Sequence, residues 1–169
     1  MIAAARLDVQ MLAQSLALTL TLIAIAGPSF ALSCVRPDPE RSFARAFEAA
    51  EPYMVVHGSF AFDTTRMPMT ASGGDNPNAS GASLPARFTG SGLTTDGFTT
   101  PLAIPVTLDV ECLGPWCGSL SEKTDQLAFL ERRDDGYHLS VTACPGMVFD
   151  APDAELLTRM QSCLSDGGC

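Results

Sequence analysis

Six cysteines, two histidines and seven methionines are the side chains of this sequence that carry chemistry of their own. The cysteines are Cys34, Cys112, Cys117, Cys144, Cys163 and Cys169. Thiols bind zinc, attack electrophiles or close disulfides, and spacing separates these uses. The paired Cys-x-x-Cys arrangement of structural zinc sites is absent. Cys112 and Cys117 stand too far apart in sequence for a Cys-x-x-Cys redox pair. His57 and His138, with Met54, Met67, Met69 and Met147, would suit copper. The plainer reading, surface or half-buried histidines and gap-filling methionines, is preferred. Ser119 and Ser140 lack any surrounding nucleophile signature. The expectation is a protein without catalysis, cofactor or metal.

Whether the thiols oxidise depends on compartment. Arg6 precedes an apolar run from Met11 to Ala26, and Gly27 and Pro28 follow it. This reads as an export signal over residues 1–31. The run is shorter than the roughly 18 residues a membrane-crossing helix needs, and a retained anchor is the alternative. Ser29 and Ala31 satisfy the small-residue rule for cleavage, making Leu32 the new terminus. Ala31 and Ser33 fit as well, placing the cut after Ser33. Phe30-Ala31-Leu32-Ser33-Cys34 is also a loose lipobox, in which Cys34 would be acylated and the protein tethered to a membrane. All six cysteines follow the signal, and an even count in an exported chain, periplasmic or secreted, reads as three disulfides with fifteen possible connectivities.

The 169 residues carry a net charge of -9, which repels a polyanion and argues against nucleic acid as a partner. Apolar residues at 46% exceed what a disordered chain keeps solvated, so residues 32–169 are expected to form one domain.

Elements to position these residues are readable in outline. Asp38-Pro39 reads as a helix cap followed by proline at the first position, and Phe43, Ala46, Phe47 and Ala50 recur at helical spacing. Tyr53 to Asp63 reads as a strand with a bend at Gly58. Residues 64–85 read as a long Gly/Ser/Pro-rich loop, with the glycosylation sequon Asn78-Ala79-Ser80 inside it. Strands are expected at Ala86 to Ser91 and Leu102 to Cys112, the latter with Thr107 and Asp109 on its polar face and Pro101 and Pro105 marking an edge or bulge. Gln126 to Glu131 and Tyr137 to Ala143 flank a hairpin turn ending in Asp135-Gly136. Its charges, from Glu131 to Asp135, read as a solvated tip. Trp116 is expected over a local disulfide, with a partner anchor as the alternative. Asp150 is expected to cap a C-terminal helix carrying Leu156, Met160, Cys163 and Leu164 on one face. A short helix, five strands and a second helix make a mainly β protein compatible with a five-stranded OB-like closed or partly open barrel.

The segment Cys34-Val35-Arg36-Pro37-Asp38-Pro39-Glu40-Arg41-Ser42-Phe43 resembles the opening of the tissue inhibitors of metalloproteinases, a netrin-like family that begins Cys-x-Cys-Val-x-Pro-x-Pro and runs into a helix. Tyr53 to Ser59 is similar to that family's first strand, Cys117-Gly118 to its Cys-Gly-Tyr, and His138 to Cys144 to its strand ending in Cys. The resemblance implies a netrin-like OB barrel that binds rather than catalyses. It also implies that Cys34 pairs with Cys144, Cys112 with Cys117, and Cys163 with Cys169. The family's first cysteine, whose amine and carbonyl cap a protease zinc, corresponds here to Leu32. Without the disulfide at that position an unpinned terminus loses more entropy on binding, so any inhibition would be weak.

The expected partner is a protein or another envelope component, held by a ridge of Leu32, Ser33, Cys34, Val35 and Arg36 with adjacent loops. A membrane enters only if Cys34 is lipidated. The alternatives are a membrane-tethered envelope lipoprotein with a structural role and a Met/His metal-handling protein.

Overall fold

A computed structural model describes residues 32–69 and 79–169. The chain divides into two compact units, Met1–Ser33 and Cys34–Cys169, and the fold below is that of the second. The segment read as an export signal, residues 1–31, and the sequon asparagine Asn78 lie outside the described residues.

Helix α1 (Pro39–Glu48) begins where the sequence places it. Asp38 Oδ1 accepts hydrogen bonds from the Glu40 and Arg41 amides at 3.0 and 3.3 Å, and Pro39 occupies the first position, where its missing N–H costs nothing. Strand β1 (Tyr53–Phe62) follows, then a 3-10 turn at Thr64–Arg66, β2 (Ala82–Thr94) and β3 (Gly97–Val110). Two short strands, β4 (Cys112–Leu113) and β5 (Trp116–Cys117), form a hairpin of their own. Strands β6 (Gln126–Arg133), β7 (Gly136–Val141) and β8 (Val148–Asp150) lead to helix α2 (Ala154–Asp166).

The main sheet runs β1-β2-β3-β7-β6, and β6 pairs back onto β1, closing a five-stranded barrel. Every pairing in it is antiparallel except β3 with β7, which is parallel. This is the OB-type barrel, with α1 before it and α2 after it. Closure removes most free edge. The stretch of β3 from Gly97 to Val106 pairs only with β2, and it carries Pro101 and Pro105. Proline enters a strand where its nitrogen faces away from the ladder, so the two residues blunt this remaining edge.

Two cores share β6. Ala128 and Leu130 point into the barrel with Val56, Phe60, Phe88 and Leu108, whereas Leu127 and Phe129 point outward beneath the helices, against Phe43, Ala46 and Met160. A strand covered on both faces must be apolar throughout, and residues 126–130 are all buried.

Several boundaries differ from those expected. The loop set at 64–85 ends earlier, because Ala82, Ser83, Leu84 and Pro85 pair with Val110, Asp109, Leu108 and Thr107. Ladder bonds and the burial of Leu84 override the poor strand propensity of Ser83 and Pro85. Helix α2 is capped by Asp153, not Asp150: Asp153 Oδ1 accepts from the Leu156 amide at 2.7 Å. Asp150 is instead drawn into β8, opposite Gln126, whose Nε2 donates to its Oδ1 at 2.7 Å.

Candidate functional site

Three disulfides are present, Cys34–Cys144, Cys112–Cys117 and Cys163–Cys169, and no described cysteine is free. Three bridges in one chain fit an oxidising environment. The long bridge ties the segment ahead of α1 to the residues just beyond β7.

The same end of the barrel gathers other segments. The Glu111 amide donates to the Val141 carbonyl at 3.0 Å and the Gly118 amide to the Glu111 carbonyl at 2.9 Å, which seats the β4–β5 hairpin against the end of β7. A Cβ at Gly118 would stand 2.0 Å from the Val141 carbonyl oxygen, so only glycine lets the chain pass there. Cys117 Sγ lies 3.9 Å from the Met69 carbonyl oxygen, bringing in the connection after β1. Four large apolar side chains are notably exposed among the described residues, and three of them, Val35 at 74%, Met69 at 85% and Leu113 at 59%, lie on these segments. The fourth, Phe47, is on α1. Of the ridge read from the sequence, Cys34, Val35 and Arg36 are exposed, while Leu32 and Ser33 belong to the first unit. Trp116 is half-buried and pairs with Leu113 across the hairpin.

The histidines are engaged by carboxylates. His57 Nε2 lies 2.8 Å from Asp125 Oδ1, and its ring meets Phe98 edge-on. His138, 6% exposed, has Nδ1 2.9 Å from Asp109 Oδ2 and Nε2 3.0 Å from Asp135 Oδ1. With both ring nitrogens taken by carboxylates, it is not placed to act as base on a neighbouring hydroxyl. Met54, Met67 and Met147 pack against the barrel core. No group of three or more His, Cys, Asp or Glu side chains among the described residues is arranged to hold a metal ion.

The hairpin tip is solvated, with Arg132 to Asp135 exposed, and around His138 its charges also form a network. Arg133 donates through Nη1 to Asp109 Oδ2 at 2.8 Å and through Nη2 to Glu131 Oε2 at 2.7 Å, and Ser83 Oγ donates to Asp109 Oδ1 at 2.9 Å. The parallel β3–β7 pairing, which sets Asp109 opposite Ser140 and Thr107 opposite His138, makes this possible. Spacing alone showed Asp109 on a polar face and Asp135 three residues before His138; only the pairing joins them. Burial pushes the Asp109 carboxyl up, but hydrogen bonds from His138, Ser83 and Arg133 outweigh it and hold the group below the usual carboxylate range. Hydrogen bonding to Arg133 likewise holds Glu131 low, and Glu131 holds Arg133 high.

A depressed carboxylate pKa contributes stability that is present above the unfolded value, about 3.9, and is lost as pH falls through the folded value. Asp109→Asn is therefore expected to lower stability at pH 7 by about 1 to 2 kcal/mol. The difference should shrink as pH drops below about 4, which urea unfolding across pH will show.

Fold and site together define a disulfide-stapled OB-type barrel that presents apolar side chains at one end. The chain matches no protein-family model, no curated protein and no solved structure.

Proposed function

We propose that this chain is an exported, disulfide-stabilised binding module of the OB/netrin-like type that holds a protein partner and catalyses nothing itself. The contact surface takes in Cys34, Val35 and Arg36 of the ridge read from the sequence, together with the exposed Leu113 and Met69. The observation that carries this reading is the Cys34–Cys144 bridge, which fixes the segment bearing Val35 to a residue just beyond β7, the strand whose end also seats the hairpin bearing Leu113. Exposed apolar side chains on covalently fixed segments suit recognition, because little conformational entropy remains to be lost on binding. The resemblance to the tissue inhibitors of metalloproteinases supports a protein partner, with a metalloprotease as one candidate. The same bridge weighs against the lipoprotein reading, since its sulfur is the atom acylation would need.

Immobilised protein carrying the native disulfides is expected to capture its partner from native envelope or medium. Val35→Asp with Leu113→Asp should weaken capture by about ten-fold or more, as for loss of interface anchors, while Arg87→Glu on the barrel wall leaves it unchanged. Equal capture by all three proteins would contradict the ridge.

A further inference from the structure

A second feature lies a short way along the same segment. A cleft of about 470 Å³ opens between Pro37, the chain at Ser119–Ser121, strand β8 and the start of α2, and Gln126 lines it. Gln126 is 0% exposed. Its amide orientation is fixed, because Nε2 donates to Asp150 Oδ1 at 2.7 Å and the flipped amide would set two oxygens together. Oε1 then has no hydrogen-bond partner among the described residues. A buried carbonyl oxygen without a donor has given up its water for nothing, and folded proteins leave few of them.

The rest of the lining says which donor would suit. Asp150 and Asp153 add two carboxylates. Arg159 is already committed, with Nε 3.2 Å from Glu40 Oε1 and Nη1 2.7 Å from Glu155 Oε1. Asp153, as cap, and Glu155, in the first turn, answer the positive end of the α2 dipole. Leu120, Val148 and Leu156 supply apolar wall. The cleft thus combines one unsatisfied acceptor, negative charge and an apolar flank, within a chain of net charge -9 that draws cations toward it. We infer that it accepts a cationic side chain of the protein partner, a lysine or arginine whose head reaches Gln126 and Asp150 and whose stem lies along Leu120 and Leu156. This rests on the reading above that the partner is a protein.

The test uses the full disulfide-bonded chain, labelled with nitrogen-15, with n-butylguanidinium and n-butylammonium as probes and n-butanol and n-butyrate as controls at matched ionic strength. Either cation should produce saturable shifts, with roughly millimolar affinity, of the Gln126 side-chain amide and of the backbone amides of Asp150, Ala151 and residues 153–156. The controls should not. Asp150→Asn, at an exposed position, and Gln126→Leu should each weaken binding by about ten-fold, with Asp150→Asn deciding the matter if Gln126→Leu disturbs the barrel. Absence of saturable shifts, equal binding of butyrate, or unchanged affinity in Asp150→Asn would overturn the inference. Those results with ridge-dependent capture intact refute the cleft alone; cation binding without ridge-dependent capture refutes the ridge alone.

Discussion

Replacing Cys34 and Cys144 together by serine should lower the unfolding free energy by roughly 4 to 5 kcal/mol, the largest effect expected of any bridge in this protein. The bridge closes a loop of sequence separation 110, whereas Cys112–Cys117 and Cys163–Cys169 close separations of 5 and 6. In the chain-entropy account the cost of loop closure in the unfolded state rises with the logarithm of its length, so each short bridge contributes only about 2 kcal/mol. Thermal unfolding of the three double-serine variants will rank them, with the Cys34/Cys144 variant falling by on the order of 15 °C. Equal losses across the three would mean that local geometry, not the long crosslink, dominates.

Gly58→Ala should cost about 3 kcal/mol or more. Gly58 faces Gly90 across β1 and β2, and the two backbones approach closely there. A Cβ on Gly58 would stand 2.3 Å from the Thr89 carbonyl oxygen and 2.6 Å from Gly90 Cα; one on Gly90 would stand 2.2 Å from the His57 carbonyl oxygen. These are backbone atoms and cannot swing aside. The Phe88 ring lies across the glycine pair, with its Cζ 3.0 and 2.8 Å from the two Cβ positions, so it fills the space their missing side chains leave. At Gly58 β1 passes from pairing with β6, over Tyr53 to Gly58, to pairing with β2 alone, and the crowding is the consequence of bending one strand around a small barrel. Denaturant unfolding of Gly58→Ala beside Gly136→Ala, where a Cβ meets nothing within 4 Å, separates crowding from loss of glycine's backbone freedom.

The legible part of this fold was the part written in local chemistry. Asp38-Pro39 announces α1, the glycine in the first strand announces its bend, and Asp-Gly marks the β6–β7 turn. The alternation through Val106, Leu108 and Val110 marks the buried face of β3. What escaped depends on pairing between distant segments. Strand β8 is three residues long and exists because it can pair with β6, and once it does so Asp150 is unavailable as a helix cap and Asp153 takes its place. Ala82 to Pro85 look like loop residues until β3 offers them a ladder. The network of Asp109, Arg133, Asp135 and His138 needs β3 and β7 to lie parallel, which no local pattern encodes. Of the candidate surface, Cys34, Val35 and Arg36 were legible as a segment preceding the helix, but Leu113 and Met69 join it only through the seating of the β4–β5 hairpin on β7.

Mass spectrometry of the protein as its own cell produces it, digested without reduction, bears most directly on the view that a crosslinked front segment forms the recognition surface. The expected result is an unmodified terminus at Leu32 and a peptide containing Cys34 joined to one containing Cys144. A lipid on Cys34, or Cys34 joined to any other cysteine, would contradict it.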